Sequence, residues 1–172
     1  MATMVLTVYG NDRAGLVDSV AEAVDDNGGS WDKSYMAELA GKFAGVVAIT
    51  VPDAKVAALL AAFEPLRAAG LDIAAHAVDT VPDAGSYREL HLVVTGQDHP
   101  GIIHDVSHAL AARGISIAEL ATETRDAPMG GGVLFEAQLT LHAPQTASVG
   151  ELHDALAKVA DELVVDFELS EA

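Results

Sequence analysis

Residues 9–20 read YGNDRAGLVDSV, and residues 95–106 read TGQDHPGIIHDV. Laid over each other at a separation of 86, they match at Gly10 and Gly96, Asp12 and Asp98, Gly15 and Gly101, and Val20 and Val106. An alternating, β-rich run, MVLTVYG or LHLVVTG, leads into each turn, and aliphatic residues at helical spacing follow it. These are Leu16, Val17, Val20 and Val24 in the first copy, and Ile102, Ile103, Val106 and Leu110 in the second. Gly28 and Gly29 stop the first helix, Gly114 stops the second, and Ser30 and Ser116 coincide just beyond. Strand, Gly-x-Asp-x-x-Gly turn and amphipathic helix therefore occur twice, as in a duplicated domain.

The repeat extends outward. Strands are expected near 31–39 (WDKSYMAEL) and 115–124 (ISIAELATET), followed by FAGVVAITVP and FEAQLTLHAP. Phe43 aligns with Phe135 and Pro52 with Pro144 at a separation of 92, so the second copy has gained six residues. The insertion falls in RDAPMGGG (125–132), which reads as a hairpin tip. Helices near 53–69 and 147–161 and strands 71–78 and 162–169 complete each copy. The order β-α-β-β-α-β predicts an α+β protein of two ferredoxin-like domains, each a four-stranded antiparallel sheet with two helices on one face. Their expected bounds are 1–80 and 88–172, with residues 81–87 as the linker. Open sheet edges call for cover, so the halves, or two chains as a homodimer, are expected to pair.

Composition narrows the function. Hydrophobic residues make up 51% of the 172, and the mean hydropathy is +0.29, enough for packed cores. Nine basic against 26 acidic residues give −17, with −7 from residues 1–85 and −10 from 86–172, so the acidity is global. Nucleic acid needs Lys and Arg to displace phosphate counterions, and anionic membranes attract basic segments. Neither is an expected partner. The chain contains no cysteine, which excludes disulfides, thiol nucleophiles and Cys-ligated metal. The N-terminus reads as a strand and not a signal peptide, and no apolar run approaches the roughly 20 residues of a membrane helix. A cytoplasmic protein is expected.

The turns are where chemistry concentrates. A carboxylate at Asp12 or Asp98, just ahead of a helix, is placed to cap exposed N–H groups and oppose the helix dipole. The same N–H groups, at Gly15 and Leu16 or at Gly101 and Ile102, can receive a small carboxylate. Asn11 and Gln97 precede the aspartates and offer amide groups, and His99 lies inside the second turn. Structural cap and ligand loop remain open alternatives. The turn lacks the middle glycine of a dinucleotide fingerprint, and its fold order differs. His104 and His108 share a helix face as metal pairs do, but the buried stripe leaves them toward solvent, so no metal or other cofactor is expected. Ser107 beside His108 cannot form a triad, and no other nucleophile–base pair stands out. The chain is not expected to be an enzyme.

The strand, Gly-x-Asp-x-x-Gly-aliphatic-aliphatic turn, helix and Gly-x-Ser pattern within βαββαβ resembles the ACT domain. The second copy, GQDHPGIIHDVSHALAARGISI, keeps a proline, Pro100, common in that family, whereas the first has Ala14 there. Two such domains filling the chain are similar to the tandem-ACT glycine cleavage system transcriptional repressor family. The resemblance implies a regulator that binds a small amino acid, glycine or serine, through Asn11, Asp12, Gly15 and Leu16, and through Gln97, Asp98, His99, Gly101 and Ile102. It also implies action through a DNA-binding regulator protein and not through DNA. The rival reading is a protein-interaction or oligomerisation module without a metabolite.

Overall fold

The computed structural model describes residues 1–78 and 84–171. Residues 81–83 of the expected linker lie outside the described residues, and Tyr87, its last residue, already begins a strand. The chain divides into two compact units, Met1–Val81 and Pro82–Ala172.

Unit 1 runs β1 (Ala2–Asn11), α1 (Leu16–Asp26), β2 (Ser30–Leu39), β3 (Lys42–Val51), α2 (Val56–Ala62), α3 (Glu64–Ala68) and β4 (Asp72–Ala77). Unit 2 runs β5 (Tyr87–Gln97), α4 (Ile102–Ala111), β6 (Ser116–Asp126), β7 (Val133–Pro144), α5 (Val149–Leu163) and β8 (Val165–Glu171). The sheets are ordered β2-β3-β1-β4 and β6-β7-β5-β8, antiparallel at each pairing. Both units are thus ferredoxin-like, in the α+β class the repeat predicts.

Alternation along the central strands sends one row of side chains toward the helices. Met4, Leu6 and Val8 of β1 and Val47, Ile49 and Val51 of β3 join Val20, Val24, Leu59 and Phe63 in the first core. Leu90, Leu92 and Val94 join Leu139, Leu141, Val106, Leu110, Leu152 and Leu156 in the second. β-Bulges recur at equivalent places on the edge strands, between Trp31 and Lys33 and between Ile117 and Glu119.

Two expectations needed revision. The helix expected over 53–69 is broken into a 3₁₀ turn at Asp53–Lys55, α2 and α3. Pro65 sits in the first turn of α3, where its missing N–H costs nothing, but it could not continue α2. The helix expected to end at 161 runs on to Leu163, and Val164 closes it in the left-handed conformation, φ 55°. β8 therefore starts later than expected, at Val165.

The six inserted residues also have a structural account. In unit 1, Leu39 pairs with Lys42 around Ala40 (φ 52°) and Gly41 (φ 78°), a two-residue turn with both central residues at positive φ. In unit 2 the hairpin gains one further pair, Asp126 with Val133, and a longer tip closed by Ala127 N–H donating to Gly132 O at 2.8 Å.

Candidate functional site

Because β1 and β3 are antiparallel neighbours, the end of β1 adjoins the start of β3 and its hairpin. The turn after β1 is pinned there by Asp12 N–H donating to Gly41 O at 2.9 Å. Its counterpart is pinned by Asp98 N–H donating to Val133 O at 2.8 Å. Asn11 Oδ1 accepts from Lys42 Nζ across the β1–β3 pair. Gln97 lies against the longer hairpin, so close that a Cβ on Gly132 would stand 3.0 Å from Gln97 Nε2.

The four matching glycines divide into two kinds. Gly15 (φ 87°) and Gly101 (φ 104°) are the N-cap residues of α1 and α4, both left-handed. Gly10 and Gly96 instead give room to the neighbouring edge strand. A Cβ at Gly10 would lie 3.0 Å from Leu71 Cδ1, and one at Gly96 would lie 2.6 Å from Val165 Cγ1. The first glycine of each turn serves close packing.

Neither α1 nor α4 has a side-chain cap, so of the two roles open to Asp12 and Asp98 the cap is not taken up. The left-handed glycine carries the chain into the helix directly. Acidic residues within the first turns, Asp18 and Asp105, oppose the dipoles instead. The first intrahelical bonds are Ser19 N–H to Gly15 O at 3.0 Å and Asp105 N–H to Gly101 O at 2.9 Å. The N–H groups of the residues before Ser19 and Asp105 in each helix have no intrahelical acceptor. Leu16 and Ile102 are buried at 4% and 2% exposure, so only their backbone can reach a ligand.

His99 is the most constrained side chain of the second turn. Its Nδ1 lies 3.0 Å from Pro100 O and its Nε2 2.8 Å from Leu163 O. A carbonyl only accepts, and a neutral imidazole has one N–H, so both contacts are hydrogen bonds only when the ring is protonated. The backbone carbonyls of Pro100 and then Leu163 hold the His99 pKa above its ordinary value, and the Asp98 and Asp105 carboxylates add to this. Asn11, Asp12, Gly15 and Leu16 are gathered in unit 1, and Gln97, Asp98, His99, Gly101 and Ile102 in unit 2. Sequence reasoning missed Gly41, Gly132 and Leu163. The first two follow from the strand order, whereas the third has no signal in the sequence.

His104 and His108 are exposed, with rings stacked at 6.3 Å. Among the described residues no group of three or more His, Asp or Glu side chains is arranged to hold a metal, and no helix is long and apolar enough to cross a membrane.

A ferredoxin-like unit with a glycine-closed turn at the first helix occurs twice in this chain, which makes it a tandem α+β protein. Family models described as the ACT domain match residues 2–76 and 91–161, and the chain belongs to the ACT domain family as two domains in tandem. It is 25% identical over 162 residues to the glycine cleavage system transcriptional repressor of Escherichia coli K12, covering 93% of this chain and 85% of that one. An unknown protein from Galdieria sulphuraria is 31% identical, with TM-score 0.84 and coverage of 99% and 98%. A solved candidate glycine cleavage system transcriptional repressor shares the fold at 16% identity, with TM-score 0.71 and coverage of 99% and 97%.

Proposed function

We propose that this chain is a regulatory sensor that binds a small amino acid at the helix-start turns and passes that state on through protein contacts. The observation that carries the reading is the pair of turns themselves. Each offers uncommitted N–H groups at a helix start, a carboxylate (Asp12 or Asp98) freed from capping, and an amide (Asn11 or Gln97) beside it. Those groups match an α-amino acid: N–H donors for the carboxylate, an aspartate for the ammonium, and an amide for either.

Glycine and serine are the favoured ligands, on the likeness to glycine cleavage repressors. The chain's −17 charge disfavours DNA as the target, so the partner is a DNA-binding activator of glycine metabolism. Unit 2 is the stronger site, because His99 ties its turn to the end of α5. Its test is equilibrium binding of labelled glycine and serine to Asn11→Ala and Asp98→Ala. Loss in Asp98→Ala alone locates the site in unit 2, and retained affinity in both variants refutes the turns as the site.

The rival reading, an interaction module without a metabolite, is favoured by one observation. Gly10 and Gly96 have packing roles that need no ligand.

A further inference from the structure

The hairpins of the two units hold their helix-start turns in different ways. In unit 1 the β2–β3 hairpin turns at Ala40 and Gly41, and Lys42 Nζ donates to Asn11 Oδ1. In unit 2 Leu134 takes the position of Lys42, and six more residues extend the tip. There Asp98 N–H donates to Val133 O at 2.8 Å. The Gln97 amide lies against Gly132, where a Cβ would stand 3.0 Å from Nε2. Gly132 has φ 90°, and its carbonyl is committed to Ala127 N–H at 2.8 Å. Consecutive turn residues thus rest on consecutive hairpin residues, Gln97 on Gly132 and Asp98 on Val133. Gly41 is the residue of unit 1 that accepts from Asp12 N–H, and a Cβ there would meet nothing within 4 Å. The space that is open beside Asn11 is filled by the tip beside Gln97.

The difference bears on what each turn offers a ligand. Asn11 commits its oxygen to Lys42, whose ammonium sets a positive charge beside the unit 1 turn. Among the described residues the Gln97 amide has no hydrogen-bond partner, so its oxygen and its NH2 both remain for a ligand. A free glutamine loses rotamer freedom when a ligand fixes it. Contact with the closed tip restricts that freedom beforehand, which favours binding. The residue matching Lys42 is the uncharged Leu134, so that position sets no cation against an α-ammonium group. The same tip takes up the room that a bulky ligand side chain would need on that side of the turn.

Building on the amino-acid reading of these turns, we infer that the β6–β7 hairpin tip is the selectivity element of unit 2. Gly132 positions the Gln97 amide for the bound amino acid, and the inserted residues exclude bulky side chains such as that of leucine.

The test is calorimetric titration of the 172-residue chain with glycine, serine and leucine. The wild type is expected to bind glycine or serine and to exclude leucine. Gly132→Ala pushes the amide away and weakens binding about tenfold, as expected for one lost hydrogen bond to a charged group. In a Gln97→Asn background the shorter side chain no longer meets that methyl, so the same change costs almost nothing. This cycle separates the contact from the left-handed strain that alanine brings to position 132 in either background. Gly114→Ala carries strain of the same kind, at φ 67° with nothing within 4 Å, and leaves affinity unchanged. Replacing Asp126–Val133 by the Ala-Gly turn of unit 1 removes the six inserted residues and admits leucine. A measurement on the wild type covers misfolding of these variants. The Gln97 side-chain NH2 is expected to show an NOE to Gly132 Hα and to shift when glycine or serine binds. A wild type that binds none of the three amino acids refutes the turn as a site, and the selectivity element with it. Four results leave the site standing and overturn the role of the tip. These are leucine binding as tightly as glycine or serine, a Gly132→Ala loss equal in both Gln97 backgrounds, a shortened tip that still excludes leucine, and a Gln97 signal that ignores the bound ligand.

Discussion

His99 Nε2 lies 2.8 Å from the carbonyl oxygen of Leu163, joining the turn before α4 to the last residue of α5 across 64 positions of sequence. Among the described residues no such link leaves the turn of unit 1, where Arg13 occupies the matching position. The contact ties the second turn to the C-terminal end of a helix, where carbonyls are unsatisfied and a cation is favoured.

That link predicts a pH dependence of known sign. The folded state raises the His99 pKa, so the stabilisation is fully present below the unfolded value of about 6.5. It is lost as pH rises through the higher folded value. Thermal unfolding of wild type and His99→Gln should therefore diverge most at mildly acidic pH and converge toward pH 8. A difference that grows with pH would contradict the clasp.

Val164 ends α5 at φ 55° and ψ 49°, an unusual conformation for a β-branched residue. It is 83% exposed, so packing does not explain it. The matching position in unit 1 is Gly70, at φ 91°. Val164→Gly should relieve about 1–2 kcal/mol of left-handed strain and give back about 0.5–1 kcal/mol of chain entropy. The expected net gain is roughly 1 kcal/mol, read from urea unfolding. A loss of stability would mean that the valine side chain holds the Leu163 carbonyl in place.

The matching glycines should respond differently to alanine. At Gly96 the added methyl meets Val165 at 2.6 Å, an overpacking expected to cost about 1–3 kcal/mol. At Gly15 nothing stands within 4 Å, so only the left-handed backbone resists, at about 1–2 kcal/mol. The distinguishing result is repair. Val165→Ala should rescue part of the Gly96→Ala loss, because it removes Cγ1 but leaves Val165 Cα and Cβ at 3.0 Å, and no neighbouring truncation should rescue Gly15→Ala.

How much of this was legible follows from what repeats. The Gly-x-Asp-x-x-Gly skeleton and the aliphatic stripes appear twice, so the strand, helix and domain order could be read without contacts. The six-residue insertion was equally readable, because Phe43 and Phe135 bracket it. The break of the helix at Phe63 had a visible cause in Pro65, which the apolar periodicity outweighed. The roles of Gly10 and Gly96 were not legible, since a glycine looks the same whether a ligand or Val165 lies against it. Nor was the reach of His99 to Leu163, a contact with a backbone carbonyl that any residue supplies. The sequence left Asp12 and Asp98 open between cap and ligand partner, and the left-handed glycine three residues on makes a cap unnecessary.

A thermal-shift screen of the chain against the twenty amino acids tests amino-acid binding by the helix-start turns most directly. A ligand at 100 times its Kd raises stability by about 2.7 kcal/mol. A saturable upward shift with glycine or serine, abolished by Asp98→Ala, is the predicted result. The absence of any shift with all twenty at millimolar concentration would contradict it.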